Sequence, residues 1–82
     1  MYLVPTVRYF ASARAAAGVN EEVVPAETLG TLRASLAEAH GERLAAVLRV
    51  ASFLVDGLPC RDPETALPVN GTVDVLPPFA GG

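Results

Sequence analysis

The sequence predicts an α+β fold, a mixed sheet packed on one main helix, and three observations carry that prediction. Alternating strand-like runs stand near both ends of the chain, Val4-Pro5-Thr6-Val7-Arg8-Tyr9-Phe10 and Thr72-Val73-Asp74-Val75-Leu76. Between them Leu29, Leu32, Leu36 and Ala39 recur at helical spacing behind Thr28, a residue type that caps helix N-termini. Further strand-like runs flank that helix on both sides, which is the layering of sheet on helix.

The bulk properties narrow the classes. The chain has 82 residues, of which 51% are hydrophobic, enough for one domain with a single core. No apolar run approaches membrane-spanning length, and Met1-Tyr2-Leu3-Val4-Pro5 has no basic region of the signal-peptide kind. The single cysteine, Cys60, excludes an internal disulfide and fits a reducing cytoplasm. A net charge of −3 argues against a nucleic-acid partner. All six basic residues are arginine, so no ε-amino group is available to accept an isopeptide bond.

In chain order, residues 4–10 form a first strand with Val7 and Tyr9 on one face and Thr6, Arg8 and Phe10 on the other. Pro5 suits the strand's start or an edge. Phe10 shares the face of Arg8 at the strand's end, and its residue type by itself favours core packing over exposure there. Residues 11–18 form a short helix that Gly18 stops, and residues 20–26 a second strand antiparallel to the first. Glu21 and Glu22 alternate faces there and read as a solvated edge. The main helix runs from Thr28 to His40-Gly41, with Arg33 and Glu38 on its polar side. His40 reads as a donor or cation at the helix C-terminus. Residues 42–50 form a shorter helix with Leu44, Val47 and Leu48 inward. Residues 51–55 resume strand composition, and Asp56-Gly57 turns the chain into a short edge arm, Leu58-Pro59-Cys60-Arg61. Residues 62–65 are loop, Asn70-Gly71 is a second turn, and residues 72–76 complete the strands. If the main helix crosses the sheet between first and last strands, the two lie parallel at its centre. This is a β-grasp arrangement, and the chain leaves it from a central strand.

Little chemistry is available elsewhere. There is no glycine-rich nucleotide cradle and no metal-ligand spacing. Cys60 and His40 make a poor nucleophile pair, since Cys60 has only Arg61 as a neighbouring activator and reads as a packed thiol. An enzyme acting on its own is not expected. What remains is Leu76-Pro77-Pro78-Phe79-Ala80-Gly81-Gly82. Proline fixes φ and extends its predecessor, so the run leaves the domain as a stiff spacer. The six residues from Pro77 onward reach at most ~20 Å. Gly81 and Gly82 carry no Cβ and fit a narrow slot. A terminal carboxylate is ionised at neutral pH and unreactive unless another enzyme activates it, for example as a mixed anhydride with AMP. A sulfur donor can then displace AMP and leave a thiocarboxylate.

These residues carry a resemblance. The ending Pro77-Pro78-Phe79-Ala80-Gly81-Gly82 is similar to the Pro-Pro-x-Ala-Gly-Gly tail of the small subunit of molybdopterin synthase, among the ubiquitin-like β-grasp sulfur carriers of the ThiS/MoaD type. Val7-Arg8-Tyr9-Phe10-Ala11, followed by Arg14 and Gly18, resembles that family's first strand and short helix, and Thr28 through Leu36 its main-helix opening. The resemblance implies a β-grasp domain over residues 1–76 and an extended, flexible tail over residues 77–82. It implies that an adenylating enzyme uses ATP to activate Gly82, with Gly81 beside it. A sulfur donor system then forms the thiocarboxylate, and the tail inserts into the large synthase subunit to build the dithiolene of molybdopterin. By position, Phe10 and Leu76 are implied as apolar anchors on the partner, and Pro77, Pro78, Phe79 and Ala80 as inserted tail. No cofactor or metal is implied on this chain itself.

Two departures stand out. The family's acidic turn before the last strand is here Asn70-Gly71-Thr72, and Phe79 replaces a smaller residue. The alternatives are a sulfur carrier for thiamine or cysteine synthesis, a ubiquitin-like protein modifier, and a plain interaction domain.

Overall fold

Eight elements make up the described part of the chain, residues 4–78 of a computed structural model. They are β1 (Thr6–Tyr9), α1 (Ser12–Ala17), β2 (Glu21–Val23), α2 (Leu29–His40), α3 (Glu42–Val50), β3 (Ser52–Val55), β4 (Leu58–Cys60) and β5 (Thr72–Leu76). The strands form one sheet in the order β2-β1-β5-β3-β4. β1 and β5 run parallel, and the other pairs are antiparallel. The last strand therefore lies at the centre, hydrogen-bonded on both sides, as the sequence predicts.

Local chemistry explains the boundaries. Gly18 ends α1 in the left-handed conformation at φ 82°, and its N–H bonds the Arg14 carbonyl at 2.8 Å. Thr28 caps α2 reciprocally: the Thr31 N–H donates to Thr28 Oγ1 at 3.2 Å, and the Thr28 N–H donates to Thr31 Oγ1 at 3.1 Å. Thr28→Ala should cost about 1 kcal/mol in urea denaturation, since it strips the partner from the Thr31 N–H. The β3–β4 hairpin turns through Asp56 at φ 48° and Gly57 at φ 83°, the two left-handed residues of a tight two-residue turn. At the second turn the left-handed residue is Asn70, at φ 58°. Gly71 serves close approach instead: a Cβ there would lie 3.0 Å from the Pro68 carbonyl oxygen. The Asp56 carboxylate accepts from the Thr72 N–H at 2.8 Å, which ties the two turns together.

One face of the sheet carries the core. Val7, Tyr9, Phe53, Val55, Val73 and Val75 meet Ala13 from α1, Leu29, Leu32 and Leu36 from α2, and Leu44 and Leu48 from α3. Three expectations need correction. Ala39 is exposed, because α2 buries its leucines and leaves that last-turn position outside the contact. Arg33 is half-buried, its guanidinium carbon 5.4 Å from the centre of the Phe53 ring, so it packs over the sheet rather than standing on a solvated side. Glu22 faces the core side beside Val7 and is half-buried, so it is no solvated edge carboxylate.

Candidate functional site

The other face of the sheet is where β1 and β5 present polar chemistry at the centre. Alternation puts Thr6 and Arg8 of β1, Thr72, Asp74 and Leu76 of β5, and Ser52 and Leu54 of β3 on this face. Arg8 and Asp74 are directly paired across the parallel strands. Their side chains form a fork: Nε donates to Oδ1 at 2.6 Å and Nη2 to Oδ2 at 2.9 Å. Asp74 is 7% exposed, a charge in the central strand that is held by this pair. The hydrogen bond to Asp74, then its charge, holds the Arg8 guanidinium protonated beyond its ordinary range.

Phe10 and Leu76, which the resemblance implies as apolar anchors, lie side by side at one end of this face. The Phe10 N–H donates to the Val75 carbonyl at 3.3 Å, extending β1 alongside the end of β5 and next to Leu76. Phe10 is 38% exposed and outside the core, with the Arg8 guanidinium carbon 5.8 Å from its ring centre. Leu76 and Pro77 are half-buried and Pro78 is exposed. Phe10, Leu76, Pro77 and Pro78 thus stand at the point where the chain leaves its central strand. Phe79, Ala80, Gly81 and Gly82 lie outside the described residues.

Two polar arrangements escaped sequence reasoning. The first is the Arg8–Asp74 pair, whose only signal was an aspartate inside an otherwise apolar strand. The second ties β1, β2 and the end of α2 together at one edge of the sheet: the Tyr9 hydroxyl donates to Glu22 Oε2 at 2.5 Å, and His40 Nε2 faces the same oxygen at 2.5 Å. The His40 ring meets Tyr9 edge-on at 6.0 Å. Burial, then the bond to Glu22, pushes the Tyr9 hydroxyl pKa well above the usual tyrosine range. His40 is therefore engaged beside β2, whereas Cys60 sits on β4 at the opposite edge of the sheet, its Sγ 3.9 Å from the Asp62 carbonyl. Among the described residues no cluster of three or more His, Cys, Asp or Glu side chains could hold a metal ion, and no helix is long and apolar enough to cross a membrane.

Comparison with solved structures places the fold. The chain is similar to the molybdopterin-converting factor chain in a protein–protein complex of subunits 1 and 2 from Helicobacter pylori, at 26% identity and TM-score 0.75, over 98% of this chain and 100% of that one. It is similar to the HVO 2177 protein of Haloferax volcanii at 27% identity and TM-score 0.75, over 98% of this chain and 87% of that one. Small archaeal modifier protein 1 from Methanosarcina acetivorans shares the fold at 23% identity and TM-score 0.79, over 100% of this chain and 99% of that one. No curated protein sequence matches. The five-stranded mixed sheet packed on helices shares the ubiquitin-like β-grasp fold of these neighbours, and the ThiS family matches residues 7–82. The chain belongs to the ThiS family, of the ThiS/MoaD type.

Proposed function

We propose that this chain carries sulfur as a thiocarboxylate on Gly82 and serves as the small subunit of molybdopterin synthase. One observation carries the reading: the family match runs through Gly82, and the central strand β5 aims the chain outward through Leu76, Pro77 and Pro78. The Helicobacter pylori relative is a chain from a complex of subunits 1 and 2, which supports a large-subunit partner for this chain too.

The Gly82 carboxylate attacks the α-phosphorus of ATP on an adenylating partner, and pyrophosphate leaves. Hydrosulfide attacks the acyl carbon, AMP leaves, and the thiocarboxylate remains. With a protein persulfide as donor, the attack gives an acyl disulfide, which a thiol cleaves to the thiocarboxylate while the donor sulfur leaves as a disulfide. On the large subunit the sulfur is transferred to the pterin precursor and water restores the carboxylate. A dithiolene holds two sulfurs, so each product consumes two loaded tails. This chain's own groups position rather than catalyse. Arg8 and Asp74 lock β1 to β5, Phe10 and Leu76 anchor the partner, and Pro77 and Pro78 hold the exit extended. Phe79 and Ala80 seat the tail, and Gly81-Gly82 enters the narrow end of the cleft. The division at residue 76/77, the absence of a bound cofactor on the chain and a cytoplasmic site of action belong to the same proposal.

Co-expression with an adenylating partner and a sulfur donor tests it. Intact mass should rise by the replacement of one oxygen by sulfur, and adding the large subunit with pterin precursor should return the original mass. A chain that never gains sulfur sinks the reading. The likeness to a small archaeal modifier protein favours a second reading, in which Gly82 is joined to target lysines. Recovery of Gly82 in isopeptide adducts, with no pterin product, would establish that one instead.

Phe10 gives a separate check on the anchor. Phe10→Ala should weaken binding to the large subunit by about tenfold or more, the usual effect of removing an aromatic anchor. Because Phe10 lies outside the core, unfolding free energy should fall by less than about 1 kcal/mol. A large stability loss with unchanged affinity would return Phe10 to a packing role.

A further inference from the structure

A cleft of about 510 Å³ opens where α3 runs into β3 and β4 lies alongside. Three of the six arginines line it: Arg33 from α2, Arg49 from α3, and Arg61 directly after β4. No carboxylate side chain among the described residues lines it. In a chain of net charge −3, half the cations thus converge on one concavity.

Arg33 supplies the most specific sign. Its Nε is buried without a hydrogen-bond partner among the described residues, while its guanidinium carbon lies 5.4 Å from the Phe53 ring centre. A buried donor left without an acceptor calls for a ligand or water to complete it. Among the described residues Arg49 is held only by Glu42 at 2.7 Å, in a pair with both side chains mostly exposed, which a ligand can displace at small cost. Arg61 has no carboxylate within bonding distance among the described residues. The cleft also has a defined place relative to the exit. Ser52, in its wall, pairs with Leu76, the last residue of β5.

We propose that this cleft is an oxyanion site for a small phosphate-bearing molecule. The three guanidinium groups bind the phosphate, and the body of the ligand lies along the remaining wall of the cleft. Planar guanidinium forks match phosphate oxygens in pairs, and the volume falls in the range of small-ligand pockets. The site is independent of sulfur loading at Gly82.

The test uses the full chain at constant ionic strength, titrated with inorganic phosphate, pyrophosphate and hexaglutamate, with sodium chloride as the control. Backbone amide NMR shifts at Arg33, Ser52 and Arg61 report occupancy. Cys60, the only thiol and part of the cleft wall, reports it again through its rate of alkylation by iodoacetamide. Pyrophosphate should bind saturably and slow alkylation. Arg49→Gln and Arg61→Gln, both at exposed positions, should each weaken binding by about tenfold, as expected for losing one charge-assisted contact. Arg14→Gln, exposed on α1 away from the cleft, should leave affinity unchanged. Arg33→Gln should weaken binding at least as much as the other two, with a thermal melt confirming that the variant is folded. Shifts that match the chloride control, or an equal loss in Arg14→Gln, would overturn the site. Tighter binding of hexaglutamate, with displacement of pyrophosphate, would overturn the small-molecule class in favour of an acidic protein segment.

Discussion

Deleting Gly82 should reduce sulfur loading below detection while leaving the melting temperature unchanged. The two expectations have separate physical grounds. The deletion still leaves a carboxylate, now on Gly81, but it shortens the reach by about 3.5 Å, so the acyl carbon no longer meets the activating nucleotide. Misplacing a reacting atom by a few ångströms removes most of the advantage of holding it in position. Stability should not follow, because the buried core draws on residues between Val7 and Val75. Gly81→Val keeps the length and tests the width of the slot, and loading should fall at least about tenfold if the backbone lies against a wall. Intact mass spectrometry after co-expression with the adenylating partner reads both variants. Cys60 needs its own control: a persulfide there adds a whole sulfur atom and is released by thiol reductants, whereas thiocarboxylation exchanges oxygen for sulfur. Normal loading of the Gly82 deletion, in a Cys60→Ser background, would falsify the assignment to Gly82.

Most of the fold was legible because its signals are local. Thr28 ahead of a leucine period, Gly18 after an alanine run, and Asp56-Gly57 between strand-like runs each impose a boundary through capping or backbone geometry. The parallel pairing of β1 with β5 followed from element order, since one helical layer between them leaves few ways to close the sheet. Asn70-Gly71 predicts a turn by residue type, and a turn stands there. Asn70 takes the left-handed conformation, and Gly71 is needed for the approach to Pro68.

What stayed hidden depends on register and layer overlap, which no single stretch of sequence encodes. Arg8 and Asp74 are 66 positions apart and meet only because β1 and β5 pair in one register. Arg33 sits on the polar side of α2 in a helical projection, yet the sheet extends far enough for Phe53 to lie beneath it. Glu22 looked solvated because alternation with Glu21 says nothing about what covers each face. Phe10 and Leu76 draw their proposed anchor role from resemblance alone; strand pairing is what sets them side by side at the exit of β5.

Glu22→Ala should destabilise the domain by about 2 kcal/mol, well beyond a typical surface substitution. One carboxylate oxygen serves both the Tyr9 hydroxyl and His40 Nε2, each at 2.5 Å. Tyr9 is 2% exposed, so its hydroxyl has little access to replacement water once the acceptor is gone. Glu22→Gln keeps an acceptor but loses the charge, and should cost about half as much. Urea denaturation measures both, and losses within about 0.5 kcal/mol of wild type would mean that water satisfies the hydroxyl after all. Burial of the Tyr9 hydroxyl, and then the same contact, sets the alkaline limb of stability. The folded Tyr9 pKa lies above the unfolded value near ~10, so the unfolded chain releases its proton first as pH rises. The stabilisation is whole below about pH 10 and is lost progressively above it. Tyr9→Phe removes this titration, so the difference in unfolding free energy between wild type and variant should shrink as pH rises above about 10. A difference that stays constant across that range would show that Tyr9 ionises equally in both states, and that neither its burial nor Glu22 holds the proton.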